Sequence, residues 1–324
     1  MNLIKKILDR FSGLSFRQEY ICLERPIDHS PRLVLFNGEH SLKDVTTQHV
    51  FSGYSPLIFS FPSFAGDGSN WPAKIRLYLF NDLSNRNATM TERDALAWLE
   101  LEKICKQTAD GIEVYHYHGT NGRHLFLSDF QQRMMLLSNN WFSKKKDNVY
   151  LDASLLRQVQ VAYAFPRNIS LATVEKQGLY NLFPTDLHGP LGEHYYLDSL
   201  RQGGMALRQV MEAGRMLITE ITPSEYKRAF YLGKNHMRPL SSKDQFPFSV
   251  QNSPVFGLPI PPGAVRIREV ELVNSVPAGI HQLLLFRVRN NQHVGESLDV
   301  LTHIHSVYAT WRKKQGLGGN YLLR

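Results

Sequence analysis

Apolar positions along the chain fall mostly in short runs that alternate with turn residues, a pattern of strands more than of long helices. In the first half, Arg32-Leu-Val-Leu-Phe36, Pro56-Leu-Ile-Phe-Ser-Phe61 and Lys74-Ile-Arg-Leu-Tyr-Leu-Phe80 predict strands. The Gly/Ser-rich stretch Pro62 to Asn70 lacks the lysine and helix start of a P-loop and reads as a surface loop. Thr89-Met-Thr-Glu92 has the form of a capping box and predicts a helix with Leu96, Leu99 and Ile104 on its apolar side, ending near Gly111. Ile112 to His118 and Arg123 to Leu127 flank Gly119-Thr-Asn-Gly122 and predict a hairpin around an Asn-Gly turn. Ser128 with Gln131 caps a further helix, with Phe130, Met134 and Leu137 expected inward.

Lys144-Lys-Lys-Asp-Asn148 is the best linker candidate. It divides the chain into residues 1–148, an α+β unit of unassigned role, and residues 149–324. The second unit opens on the apolar run Val159 to Ala164. Ile169 to Val174 and Leu179 to Phe183 then form a predicted hairpin across Glu175-Lys-Gln-Gly178. Pro184 cannot donate to a strand ladder, so the second run must leave the sheet there or lie on its edge. His194 to Leu200 is a strand, Met205 to Ala213 a helix, and Arg215 to Ile221 a strand. Thr222-Pro-Ser-Glu225 starts a helix running to Gly233. An irregular, proline-rich passage to Pro262 leads to long strands over 264–274 and 280–289. Ser297 is expected to begin a last helix through Leu298, Leu301, Ile304, Tyr308 and Trp311, ended by Gly316.

The 324 residues are 43% hydrophobic and 20% charged, enough to bury a core and too few charges for a disordered chain. No apolar run reaches the length of a membrane span. Leu3, Ile4, Ile7, Leu8 and Phe11 share one helical face, read first as a docking helix and second as a membrane-surface one. Two cysteines, Cys22 and Cys105, make no disulfide framework and fit a reducing cytoplasm. A net charge of +8 suits a phosphate-bearing ligand or nucleic acid. The basic residues are scattered outside Lys144 to Lys146 and no recognition motif accompanies them, which argues against nucleic acid. His116, His118 and His124 lie close enough in the predicted hairpin to invite a metal, but without a supporting carboxylate they read as solvated or core histidines.

The chemistry concentrates between Asn181 and Gly204. Asn181-Leu-Phe-Pro-Thr-Asp-Leu-His-Gly189 is polar and glycine-punctuated, and Arg201-Gln-Gly-Gly204 stands between a strand and a helix. Such a glycine pair leaves N–H groups free at the helix start, an anion site. Pro166-Arg167 entering Ile169–Val174, Asn181, the Phe183-Pro184-Thr185 loop, the Ser199-Leu-Arg201 turn, Lys243-Asp-Gln-Phe246 and the final strand pair occur in a telling order. From Val159 to Trp311 the chain resembles the flavin reductase-like proteins.

The resemblance implies a mainly β chain with helices: a C-terminal, FMN-binding split β-barrel, preceded by the α+β N-terminal domain. It also implies a homodimer, FMN as cofactor and NAD(P)H as electron donor. No catalytic acid–base pair is required, since the flavin carries the chemistry. Ser199, Arg201, Gly203 and Gly204 are the implied phosphate site, although Gly204-Met-Ala stands where the family often has Lys/Arg followed by Thr. Asn181, Phe183, Pro184 and Thr185 are implied for the ring, with Asp186, Leu187 and His188 close by; Asp186 and His188 read as an acid–base pair or, by the commoner role of such residues, Asp186 caps the loop backbone. Arg167 and His236 are placed toward the reduced flavin or the nicotinamide phosphates, and Lys243 toward the flavin or the dimer interface. The competing reading is an FMN-binding module without nicotinamide turnover. The first half has no family of its own; one reading makes it a degenerate partner for the second barrel.

Overall fold

Short apolar runs become strands throughout the computed structural model, which describes residues 4, 7, 10–38, 40–64, 71–81, 91–142 and 151–323. The first half contributes β1 (Tyr20–Leu23), β2 (Arg32–Asn37), β3 (His40–Asp44), β4 (Val50–Tyr54), β5 (Leu57–Phe64), β6 (Lys74–Phe80), β7 (Ala97–Ala109) and β8 (Ile112–His124), then helix α1 (Asp129–Phe142). Helix α2 (Ala153–Ala162) follows, then β9 (Arg167–Asn168), β10 (Ser170–Lys176), β11 (Leu179–Thr185), β12 (His188–Leu191) and β13 (Tyr195–Arg201). Helix α3 (Met205–Ala213), β14 (Arg215–Ile221), α4 (Tyr226–Leu232), β15 (Ala264–Ala278), β16 (His281–His293), β17 (Thr302–His305), α5 (Ser306–Lys314) and β18 (Tyr321–Leu322) complete it.

Two seven-stranded antiparallel sheets dominate, and their strand orders are the same. One runs β3-β2-β6-β7-β8-β5-β4 and the other β11-β10-β14-β15-β16-β13-β12, so each strand of the first corresponds to the strand eight places later. The correspondence extends to the turns: Ala109 pairs with Ile112, and Ala278 with His281, each across two residues. The second sheet is a split β-barrel. It curls until Thr185 Oγ1 on its edge strand donates to Asp198 Oδ1 on β13 at 2.7 Å, around a core that includes Phe183, Tyr196, Leu200, Ile218 and Phe286.

The halves meet in a reciprocal way. The β4–β5 turn of the first packs on the β15–β16 turn of the second, with Ile280 N–H donating to Ser55 O at 3.1 Å. The β12–β13 region of the second returns the contact, with Tyr195 donating to Asp110 O at 2.6 Å beside the β7–β8 turn. Gly279 is required here: a Cβ would come within 2.5 Å of Ser55 O. Between these contacts Val50, Ile58, Ile112 and Val114 pack against Leu191, Tyr195, Leu197, Leu283 and Leu285 in one apolar core. A third sheet, β18-β1-β17-β9, joins the two ends of the chain. Its Ile21, Leu23 and Ile304 enter the first-half core, while Cys22 packs into a second-half cluster.

Several sequence expectations are corrected. The segment expected as a helix after Glu92 is strand β7. Ala97, Leu99 and Leu101 alternate buried positions between β6 and β8, and this pairing overrides the helical spacing of Leu96 and Leu99. A capping box does form, between Thr91 and Asp94, on a single 3-10 turn. The expected Gly119–Gly122 turn is interior to β8, where glycine admits α2: a Cβ on Gly119 would lie 2.2 Å from Gln158 Oε1. Phe130 and Leu137 on α1 face solvent, at 60% and 45% exposure, while Met135 packs on the core. The last helix begins at Ser306, because Thr302–His305 pairs with β1, and His305 Nδ1 accepts the Val307 N–H as a cap. The run Val159–Ala164 lies largely in α2, whose N-cap Asp152 accepts from Leu155 N–H. Ile4, Ile7 and Phe11 are exposed. The expected linker 144–148, Thr89 and Met90, Leu3 and Leu8, and residues 65–70 of the Gly/Ser loop lie outside the described residues.

Candidate functional site at the seam between the halves

Pro184 lies in β11, the edge strand of its sheet, where a missing donor does no harm. Beyond Thr185 the chain crosses toward the first half. Leu187 is buried in the first-half core and anchors the crossing. Asp186 and His188 on either side of it are consequently held at the seam.

Asp186 is the hub. Its Oδ2 accepts from the Tyr163 hydroxyl at 2.9 Å and lies 3.2 Å from His303 Nε2. Burial by itself would raise this carboxyl; contact with His303, then Tyr163 and the nearby His188, holds it down at about 2. Its field reaches Tyr20 and Tyr54 of the first half and His236, His281 and Asp198 of the second. Burial pushes the Tyr20 and Tyr163 hydroxyls well above their ordinary value.

Two faces of β13 carry the rest, because side chains alternate along a strand. Asp198 points inward, fully buried, with Thr185 as its hydroxyl donor. Burial lifts it to about 7, and among the described residues Oδ2 has no hydrogen-bond partner. On the same inner face His188 shares a hydrogen bond with the Tyr196 hydroxyl, and burial lowers its ring to about 4. Arg268 stands over the Tyr196 ring and pairs with Glu220 at 2.7 Å.

Ser199 and Arg201 occupy the outer face, and His281 pairs across from Arg201. Ser199 Oγ and both His281 ring nitrogens are buried without partners among the described residues. Burial, then the Arg201 charge, lowers His281 to about 4, so it is neutral at physiological pH. Tyr54, from the first half, packs edge-on against His281 at 4.9 Å. Arg201 is exposed and leads through Gly203, at φ +78°, to Gly204, which starts α3 without a side-chain cap. His236 donates from Nε2 to Pro184 O at 2.7 Å, and its own carbonyl lies beside Gly204.

Thus the structure gathers Pro184, Thr185, Asp186, Leu187, His188, Ser199, Arg201, Gly203, Gly204 and His236 around one end of the second sheet. The other four expected residues are engaged differently, although the Phe183 ring touches that of His236, with centroids 4.9 Å apart, and Arg167 lies in the field of Asp186. Asn181 is fully buried; its amide donates to Gln209 and Asn235 O, and its Oδ1 takes the Leu182 N–H. Phe183 is a core residue. Arg167 is buried in a cage of Phe51, Phe59 and Phe165, 4.9–5.7 Å from their ring centres, and desolvation lowers it to about 9. Lys243 is exposed just after Ser241, which bridges Tyr180 at the opposite end of β11 from Asp186.

Sequence reasoning missed Tyr20, Tyr54, Tyr163, Asp198, His281 and His303. Asp198 carried a legible signal, a lone acid in an otherwise apolar strand run. Tyr20, Tyr54 and His303 carried none, since only the pairing of distant segments brings them here. His116 and His124, considered as metal ligands, are buried and hydrogen-bonded, the first to Ser60 and Gln107 and the second to Gln160. Among the described residues no group of three or more metal-ligating side chains is assembled.

No protein-family model matches the chain, and no curated protein matches it. Solved structures are similar to less than half of it. An FMN-binding protein from Thermus thermophilus with bound 1-cyclohex-2-enone is 20% identical over 40% of this chain and 71% of its own, with a TM-score of 0.35. The flavin reductase component of a bacterial two-component tryptophan halogenase is 18% identical over 46% of this chain and 91% of its own, with a TM-score of 0.39. The styrene monooxygenase flavin reductase from Pseudomonas putida S12 is 18% identical over 46% and 91%, with a TM-score of 0.37.

Proposed function

We propose that this chain is an FMN-binding oxidoreductase that reduces its flavin with NAD(P)H. The observation carrying the proposal is the set of buried donors and acceptors without partners among the described residues, Ser199 Oγ and both nitrogens of His281, beside the exposed Arg201 that ends β13 just before the Gly204 N-cap of α3. Native proteins pair such groups, so a polar ligand is the natural partner. The donor set fits FMN: a fixed cation and free helix N–H groups for the phosphate, and a hydroxyl and a neutral imidazole for the ribityl chain.

Bound FMN would supply hydride acceptance and one- or two-electron chemistry. The chain's own residues bind and orient. Arg201 and the N-terminus of α3 neutralise the phosphate. The Thr185–Leu187 backbone, held by His236 at Pro184 and by the burial of Leu187, gives the ring a rigid edge. Asp198, on the inner face of β13, accepts the Thr185 hydroxyl and so fixes the strand end from which that edge departs.

The test is the visible spectrum of purified protein with FMN, followed by anaerobic NADH and NADPH. Bound flavin that bleaches supports a reductase. Flavin that binds and stays oxidised leaves the binding module; the enclosure of Arg167 favours this second reading, since that cation cannot meet a dinucleotide without leaving its aromatic cage. No binding at excess FMN refutes both.

A further inference from the structure

The duplicated sheets allow each site position to be compared with its counterpart in the other half. The two tight turns set the register: Ile112 corresponds to His281, as the residue that opens the second strand of each long hairpin. The neighbouring strand follows, because Phe64 pairs with Ile112 as Arg201 pairs with His281. Counting back, Pro62 stands for Ser199 and Phe61 for Asp198. Asp198, Ser199, Arg201 and His281 of the second sheet thus have apolar or ring-closed counterparts on the first.

The counterpart location is also filled. Ile112, Val114, Leu191 and Tyr195 belong to one apolar cluster, with Phe64 packed against it. A Cβ on Gly192 would meet the Phe64 ring at 2.9 Å, so ring and turn are already in contact. At the polar location the first half instead supplies Tyr54, half-buried, with its ring on His281 and its hydroxyl in the fields of Arg201 and Asp186.

We propose that the chain is an asymmetric pseudo-dimer with one cofactor site, built by both halves, whose symmetry-related counterpart is closed by Phe64, Ile112 and Leu191. Tyr54 is its ligand-contacting residue from the first half. The inference rests on the flavin reading above. It replaces the homodimer implied by resemblance with a partner carried in the same polypeptide.

The test is an FMN titration of the full chain followed by flavin fluorescence and calorimetry, with molar mass by light scattering. One FMN per chain is expected from protein with the mass of a single chain. Tyr54→Ala should weaken binding about tenfold, since an aromatic face is lost, while Tyr54→Phe keeps affinity near wild type. Two FMN per chain overturns the closed counterpart. Binding by a dimer alone, or unchanged affinity in a folded Tyr54→Ala protein, overturns the two-half site. Absence of any FMN binding refutes the flavin reading itself, and with it this inference.

Discussion

Asp198 gives the sharpest quantitative handle on the site. An aspartate in an unfolded chain titrates near about 3.9; in the fold, burial raises Asp198 to about 7. The protonated form is therefore favoured by folding. No penalty exists below pH about 4, and the penalty grows as pH rises toward 7 and is constant above it. The distance between these two titration points corresponds to about 4 kcal/mol. Asp198→Asn removes this dependence while keeping shape and an oxygen for the Thr185 hydroxyl. Its amide nitrogen would occupy the place of the partnerless Oδ2, at a cost of about 1–3 kcal/mol. The variant should thus be less stable than wild type at pH 4 and more stable at pH 8. The difference between the two should climb by about 4 kcal/mol across that interval, whatever the offset. Urea denaturation at half-unit steps from pH 4 to 8, for both proteins without ligand, measures it. Subtraction cancels the buried histidines, which titrate alike in both. A difference curve flat to within about 1 kcal/mol would refute the reasoning: Asp198 would then be solvated or partnered, and no proton could be assigned to it.

Three further outcomes are expected. His49, His116, His124, His188, His281 and His305 are held to about 3–4 chiefly by burial, so the neutral rings favour the fold. Wild-type stability should accordingly fall as pH drops from about 6.5 toward 4, read from denaturant midpoints; a rise over that range contradicts the burial of these rings. Arg268→Met strips Glu220 of its 2.7 Å partner inside the barrel and should cost about 3–5 kcal/mol in chemical denaturation, with the double variant Arg268→Met/Glu220→Gln recovering part of it. Arg201→Ala changes an exposed side chain. It should leave the free energy of unfolding within about 0.5 kcal/mol of wild type while weakening FMN binding at least tenfold, and that weakening should shrink in high salt.

The parts of the fold that read correctly are those where local chemistry and tertiary pairing agree. Met205–Ala213 and Arg215–Ile221 have the bounds expected from the glycines beside them, and Pro184 does mark a sheet edge. The failures are where pairing overrode local signals. Leu96 and Leu99 satisfy helical spacing, yet the neighbouring β6 and β8 turn the segment into a strand. Asn121-Gly122 has the chemistry of a turn but lies inside a ladder because α2 needs room there. The duplication was illegible for a different reason: corresponding positions such as Arg201 and Phe64 share strand register and nothing chemical. The site was half visible, because Thr185 to His188 and Ser199 to Gly204 are local in sequence, whereas Tyr20, Tyr54, His281 and His303 arrive from remote strands.

The closing sheet has a consequence for synthesis. β1 pairs with β17 and β18, and the core of the first half includes Ile304, Val307, Tyr308, Ala309 and Trp311 from the last part of the chain. A ribosome that has made only the first half has therefore made a sheet whose core is missing its final side chains. The nascent first half must wait, with apolar surface uncovered, until the C-terminal strand and helix emerge. A chain stopped before Thr302 is expected to lose the stability of the half that was finished first.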